Sequence, residues 1–174
     1  MSSQMETVYL GLGSNLGDRK AFLALAISSL PPEVLLTRCS HIYETQPWGF
    51  QEQAEFLNLV LEAKTELSPA ALLLYLKDIE KQVGRKARFL NGPREIDIDI
   101  LFYGDQVIAD ESLIIPHPEI QKRSFVLGPL SEIAPDLTHP GMNKTVTELK
   151  ELLDMSDIRQ LSDKEICTEN ANNR

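Results

Sequence analysis

An α+β fold, an antiparallel sheet with helices packed on one face, is the class this sequence predicts. Three observations lead to it. Four short apolar or alternating runs have strand length, and two longer runs carry an apolar stripe at helical spacing. They follow one another as strand, helix, strand, strand, helix, strand. A chain of 174 residues, 43% hydrophobic and 25% charged, has room for one such core and little more.

Each element has its own warrant. Residues 7–13, TVYLGLG, read as a buried first strand stopped by glycine. In residues 18–30, Phe22, Leu23, Leu25, Ala26, Ile27 and Leu30 share a helical face behind an Asp18 N-cap, and Pro31-Pro32 end it. Residues 34–46 form a second strand that breaks at PWGF. Residues 55–66 alternate, with Phe56, Asn58, Val60 and Glu62 on one side and Leu57, Leu59, Leu61 and Ala63 on the other. In residues 68–84, Ser68 caps the helix, Pro69 fills its first turn and Gly84 ends it. The strand of residues 95–103 turns at Tyr103-Gly104-Asp105 into a short return. Residues 116–135 are a Pro-punctuated stretch of short helical turns, and Thr145 with Glu148 makes a capping box for a last helix. Two halves of this kind build the split βαβ, ferredoxin-like sandwich, here with a C-terminal extension. Residues 1–155 are expected to form one domain and residues 156–174 a polar, loosely ordered tail.

Charge and composition remove several classes. Net charge −9 argues against nucleic acid and anionic membranes as partners. No apolar run approaches the roughly 20 residues that span a bilayer. The first residues show no basic, apolar and small-residue order of a secretory leader. Cys39 and Cys167 stand far apart in no motif, which predicts neither a disulfide framework nor a zinc site and makes a reducing cytoplasm the expected location. Against this acidic background, residues 81–94 hold Lys81, Arg85, Lys86, Arg88 and Arg94 without a single acid.

That basic window runs straight into EIDIDILFYG, residues 95–104, where Asp97 and Asp99 interrupt an apolar strand. Residues two apart in a strand share a face about 6.5–7 Å from one another. Ile96, Ile98 and Ile100 therefore face one way, and Glu95, Asp97 and Asp99 the other. Parallel carboxylates this close repel, so they retain a proton or take a cation between them. Hard ions such as magnesium suit such a pair, since they need few carboxylates and complete their shell with water and phosphates. A half-exposed strand with a polar outer face would show the same alternation, but not the adjoining guanidinium groups, which suit a polyphosphate. No G-x-x-x-x-G-K-[ST] or kinase-type motif occurs, so any nucleotide must be held by metals, arginines and the sheet surface. GLGSNLG has the wrong spacing for a dinucleotide fingerprint and reads instead as a turn lining the pocket.

GPREIDIDILFYG resembles the signature of the hydroxymethyl-dihydropterin pyrophosphokinase family. YLGLGSNLGD (9–18), YETQPWG (43–49), FLNLVLEAKTELSPAALL (56–73) and IPHPEIQKRSFVLGPLSEIAP (115–135) resemble family segments in the family order. The resemblance implies transfer of pyrophosphate from ATP to 6-hydroxymethyl-7,8-dihydropterin, with release of AMP, by a monomer on a ferredoxin-like core. It implies that Asp97 and Asp99 hold two magnesium ions, with Asp99 also acting in the chemistry. Arg94, Arg123 and His117 would meet the phosphates. Arg85 and Arg88 would close over ATP from a basic loop, and Glu80 would line the ATP side. Arg94, Arg88 and Arg123 are implied to be catalytic. Phe56 and Phe125 would sandwich the pterin, Asn58 would read its polar edge, and Thr45 and Pro47 would complete that pocket. The sequence departs from the family pattern at Leu90-Asn91, where Arg-Trp is usual; Arg88-Phe89 stands two residues earlier. A non-catalytic ferredoxin-like module that binds a nucleotide or metabolite is the alternative reading.

Overall fold

Period-two alternation in the first strand sets the layers of the molecule. The computed structural model describes residues 4–161 and 165–168. In chain order the main elements are β1 (Glu6–Ser14), α1 (Arg19–Ser28), β2 (Val34–Cys39), β3 (Tyr43–Thr45), β4 (Phe56–Thr65), α2 (Pro69–Val83) and β5 (Asp97–Tyr103). A small hairpin of β6 (Ile108–Ala109) and β7 (Ile114–Ile115) follows. Next come α3 (Ser124–Ile133), a second hairpin of β8 (Thr138–His139) and β9 (Lys144–Thr145), α4 (Val146–Glu151), β10 (Ile158–Gln160) and α5 (Glu165–Thr168).

The main sheet has the order β10-β3-β4-β1-β5, and β2 pairs the far end of β4. Every pairing in it is antiparallel. The expected caps are present. Asp18 accepts from the Ala21 amide at 3.1 Å, Ser68 caps α2 with Pro69 in its first turn, and Thr145 with Glu148 forms the capping box.

On one face, Val8, Leu10 and Leu12 of β1 join Leu57, Leu59 and Leu61 of β4 and Ile98 and Ile100 of β5. They pack against Leu23, Ala26 and Ile27 of α1 and Leu72, Leu76 and Ile79 of α2. The expectation that all helices lie on this face is corrected by the structure. Tyr9, Val60, Leu101 and Phe102 point to the opposite side and are buried there by Val126, Leu127 and Leu130 of α3 and Val146 and Leu149 of α4. A register shift between Tyr9 and Leu10 explains why both Leu101 and Phe102 can face α3. The second face thus carries enough apolar surface to need a cover of its own.

Three other expectations change. The single strand read over residues 34–46 is two strands, because Ser40 supplies the contacts a ladder would. Its buried hydroxyl accepts from the Val60 amide at 2.9 Å and donates to the His41 carbonyl at 2.7 Å. Order also continues past Met155, since β10 pairs β3 with Ile158 opposite Thr45; residues 162–164 and 169–174 of the expected tail lie outside the described residues. Finally, Cys39 and Cys167 form a disulfide, with Cα atoms 6.4 Å apart, between β2 and α5. Their separation of 128 residues gives no hint of this, because only the fold brings them together.

Replacing Ser40 by alanine strands the buried Val60 amide. Ser40→Ala is expected to lower unfolding stability by about 1–3 kcal/mol in urea titrations. An unchanged midpoint would contradict this account of the strand break.

Candidate active site

Beyond the first turn of α3 the second sheet face is open, and a cavity of about 580 Å³ forms there. Strand register builds its floor. Across β4, β1 and β5, the residues Asn58, Gly13 and Asp97 form one row, and Val60, Gly11 and Asp99 the next. The central strand contributes no side chains to this floor. A Cβ at Gly13 would lie 2.5 Å from Asn58 Oδ1, whereas one at Gly11 would meet Leu101 at an ordinary 3.4 Å. Glycine at position 13 is therefore what lets the Asn58 amide lie flat across β1.

One end of the cavity is aromatic. Phe56 is buried in the floor, with the Arg94 guanidinium 4.8 Å from its ring centroid. Phe125, in the first turn of α3, lies 6.4 Å from Trp48, and the Arg123 guanidinium covers both rings at 5.5 and 5.9 Å. Asn58 Nδ2 donates to Thr45 Oγ1 at 2.7 Å, which fixes how the amide is turned.

The other end is ionic. Asp97 takes Arg85 Nη1 at 2.8 Å on one oxygen and lies 3.4 Å from Arg94 Nε on the other. Asp99 lies 3.8 Å from Arg123 Nη1. Enclosure in the cavity wall, and then the charge of Asp97, push the Asp99 carboxyl up to about 7. Glu80 is buried at the end of α2. Its Oε1 accepts from the Ile98 amide at 2.8 Å, and its Oε2 holds Arg85 at 3.0 Å and Lys77 at 3.3 Å. It therefore joins α2 to β5 and orients two cations. Burial, and then Arg123, push His117 down to about 4, so it is neutral at neutral pH. His117 Nδ1 accepts from the Glu119 amide at 3.2 Å, which leaves the ring proton on Nε2.

Arg85, Arg88, Arg94, Asp97, Asp99, His117, Arg123, Glu80, Thr45, Phe56, Asn58 and Phe125 all line this one cavity. Pro47 does not. It is buried in its loop, and its carbonyl accepts from Gln51 at 2.8 Å, while the neighbouring Trp48 reaches the cavity. Arg88 lines the wall but is engaged elsewhere. Both its terminal nitrogens meet Glu95 at 2.8 Å, and these bonds hold the Glu95 carboxyl down to about 2. Lys77 also lines the cavity without having been singled out, and Gly11 and Gly13 of the GLGSNLG segment line it from within β1 rather than from a turn. Lys77 stands one helical turn before Glu80, a spacing visible in the sequence once Glu80 is in view.

Seven basic side chains (Lys77, Lys81, Arg85, Lys86, Arg88, Arg94 and Arg123) and three carboxylates (Glu80, Asp97 and Asp99) line the wall. Among the described residues no group of three or more metal-ligating side chains occurs. Two adjacent carboxylates, one of them enclosed and resisting ionisation, nevertheless fit a hard dication that draws its remaining ligands from water and phosphate.

Comparison with known proteins gives a consistent result. The family model described as 7,8-dihydro-6-hydroxymethylpterin-pyrophosphokinase matches residues 9–135. The chain is 52% identical over 146 residues to the 2-amino-4-hydroxy-6-hydroxymethyldihydropteridine pyrophosphokinase of Aquifex aeolicus, covering 84% of this chain and 91% of that one. It is 44% identical to the enzyme of the same name from Methylorubrum extorquens, over 90% of this chain and 99% of that one. Other relatives are longer: the chain is 43% identical over 88% of its length to a folic acid synthesis protein of Pneumocystis carinii but spans 21% of it. A solved Plasmodium falciparum HPPK-DHPS structure superposes with a TM-score of 0.74 at 16% identity, over 90% of this chain and 47% of that one, and supports the fold. No helix among the described residues is long and apolar enough to cross a membrane.

The raised Asp99 carboxyl makes a signed prediction. Its ordinary value is 3.8, so between that and about 7 the folded chain keeps a proton that the unfolded chain has lost. The stability this group contributes is whole below the ordinary carboxyl range and is lost as pH rises through about 7. Without divalent ions, Asp99→Asn should therefore gain thermal stability relative to the parent chain as pH rises from about 5 to about 8. A difference independent of pH would contradict this.

Proposed function

The chain belongs to the 7,8-dihydro-6-hydroxymethylpterin-pyrophosphokinase family, and on that premise we propose that its cavity transfers pyrophosphate from ATP to 6-hydroxymethyl-7,8-dihydropterin. The product pair is AMP and the pterin diphosphate, a step of folate synthesis, which makes the protein an ATP-dependent pyrophosphokinase. One observation carries the assignment of roles: Asp97 and Asp99 stand side by side on the sheet, between an aromatic pocket and a wall of lysines and arginines. The pocket matches a flat heteroaromatic substrate, and the wall matches a triphosphate. The sheet order and the two crossovers, β1-α1-β2 and β4-α2-β5, support a ferredoxin-like core beneath them.

Phe56 and Phe125 bracket the pterin, and Asn58, oriented by Thr45, reads its polar edge with the amide that β1 leaves uncovered. The pterin hydroxyl gives its proton to the Asp99 carboxylate as its oxygen attacks the β-phosphorus, the bond from that phosphorus to the α-phosphate oxygen breaks, and AMP leaves with the electron pair. Asp97 and Asp99 would hold magnesium, which supplies charge neutralisation on the phosphate oxygens. Arg94 and Arg123 bridge the two ends of the site, since each guanidinium lies over an aromatic ring and beside an aspartate. The Arg123 Nε is buried with no hydrogen-bond partner among the described residues, as suits a group that awaits an anion, whereas the Arg94 Nε already faces the Asp97 carboxylate at 3.4 Å. His117, neutral, donates from Nε2 rather than adding charge. On this reading the protein works as a monomer, whereas the reducing cytoplasm expected from unpaired cysteines loses that ground to the Cys39–Cys167 disulfide.

The test is AMP release from ATP with magnesium and hydroxymethyldihydropterin. Asp97→Asn should lower the rate at least about a hundredfold, and chelation should abolish turnover in the parent. A chain that releases AMP equally well without divalent ions would refute the metal assignment. Arg88 has to leave Glu95 before it can meet a phosphate, so its contribution belongs to the transition state. Arg88→Ala is expected to lower kcat by about tenfold while the Kd for a non-hydrolysable ATP analogue changes by less than about threefold. Equal kcat in variant and parent would remove Arg88 from the chemistry.

A further inference from the structure

Asn15, in the GLGSNLG segment after β1, does not line the cavity, yet its backbone amide and both polar atoms of its side chain are committed. It is 3% exposed. Its backbone amide donates to the Arg94 carbonyl at 3.2 Å, and its Oδ1 accepts from the Arg94 amide at 2.9 Å. Its Nδ2 donates to Gln53 Oε1 at 2.8 Å and to the Ala54 carbonyl at 3.0 Å. The first pair grips the backbone of a residue whose guanidinium lies between Phe56 and Asp97. The second grips the loop that leads from Trp48 into Phe56. Gln53 in turn donates through Nε2 to the carbonyls of Phe50 and Asn91, at 2.7 and 2.8 Å, and so ties the same loop to the basic one.

We infer that Asn15 is a positioning residue that locks the pterin-side loop to Arg94, so that filling the aromatic pocket and seating the arginine on the phosphates are one event. The inference rests on the reading of the reaction given above. The chemistry is specific to an amide. One acceptor and two donors on a single planar group satisfy three separate backbone or side-chain partners, and no other side chain of this size offers that set. An aspartate has the same shape and keeps the acceptor for the Arg94 amide. It would, however, set a carboxylate oxygen against the Ala54 carbonyl. Gln53 could turn its own amide to meet it only by giving up Phe50 and Asn91.

Asn15→Asp and Asn15→Ala separate the two grips. Asn15→Asp should raise the KM for the pterin about tenfold and leave kcat and the KM for ATP within about twofold, because only the loop is released. Asn15→Ala should show the same rise in pterin KM and in addition lower kcat about tenfold or more, because Arg94 is released as well. A structural role alone would move all the constants together with the melting temperature. If Asn15→Asp changes kcat and both KM values in proportion, or leaves the pterin KM unchanged, the inference is overturned. Should Asn15→Ala not fold, the Asn15→Asp split decides by itself. A parent chain that forms no AMP would overturn the reading of the reaction together with this one; an active parent with no split in the variants would overturn this one alone.

Discussion

The constraint on which the rest depends is that β5 must present two carboxylates on a sheet face that is otherwise covered. Ile98 and Ile100 need burial on the side of α1 and α2, and alternation then obliges Asp97 and Asp99 to point to the other side. That other side is not a solvent face, because Tyr9, Val60, Leu101 and Phe102 already lie on it under α3 and α4. The sheet is therefore apolar on both faces over one part of its length and ionic on one face over the rest. The cavity occupies the boundary between these parts.

A boundary of this kind needs local devices to exist. Half-buried carboxylates this close need counter-charge, and here each has a guanidinium beside it: Arg85 and Arg94 on Asp97, Arg123 on Asp99. The cations are in turn supported. Glu80 fastens Arg85 and Lys77 to the end of α2 while capping the Ile98 amide, so a single buried side chain sets the distance between helix and strand. Glycine at position 13 keeps the central strand low, without which the Asn58 amide could not lie over it in the row that ends at Asp97.

Much of this was legible in the sequence, for identifiable reasons. Helix limits were readable because Asp18, Ser68, Gly84 and the Thr145–Glu148 pair act through bonds to their own neighbourhood. The aspartate pair was readable because a strand converts spacing directly into facing. What failed was tertiary in origin. The second helical layer follows from a register shift between Tyr9 and Leu10, which no local pattern announces. The break at Ser40 depends on a hydroxyl meeting the amide of Val60, twenty residues on. Pro47 was placed in the pocket by the family resemblance, yet the loop buries Pro47 and brings its neighbour Trp48 to the cavity. Arg88, which the resemblance sets over ATP, lines the cavity but is held by Glu95, a pairing that nothing in KARFLNGPRE announces.

The arrangement of arginines bears on how such a site can be both stable and reactive. Four guanidinium groups that the proposed reaction would direct at phosphate are beside carboxylates in this structure: Arg85 and Arg94 at Asp97, Arg123 at Asp99, and Arg88 at Glu95. For Arg85, Arg94 and Arg123, the incoming triphosphate and its dications would exchange partners rather than create charge. The ions would take the aspartates, the phosphates would take the arginines, and the number of opposed charges in the cavity would be conserved. Such an exchange avoids the large desolvation cost of bringing four anionic phosphate oxygens to uncompensated carboxylates. Arg88 differs, because Glu95 has no position in the cavity wall and no ion would replace its partner. Moving it therefore leaves a carboxylate behind, at a cost recovered only where phosphate charge is greatest. That asymmetry, set by Glu95 standing before β5 and outside the cavity wall, separates the arginines that hold ATP from the one suited to the transition state.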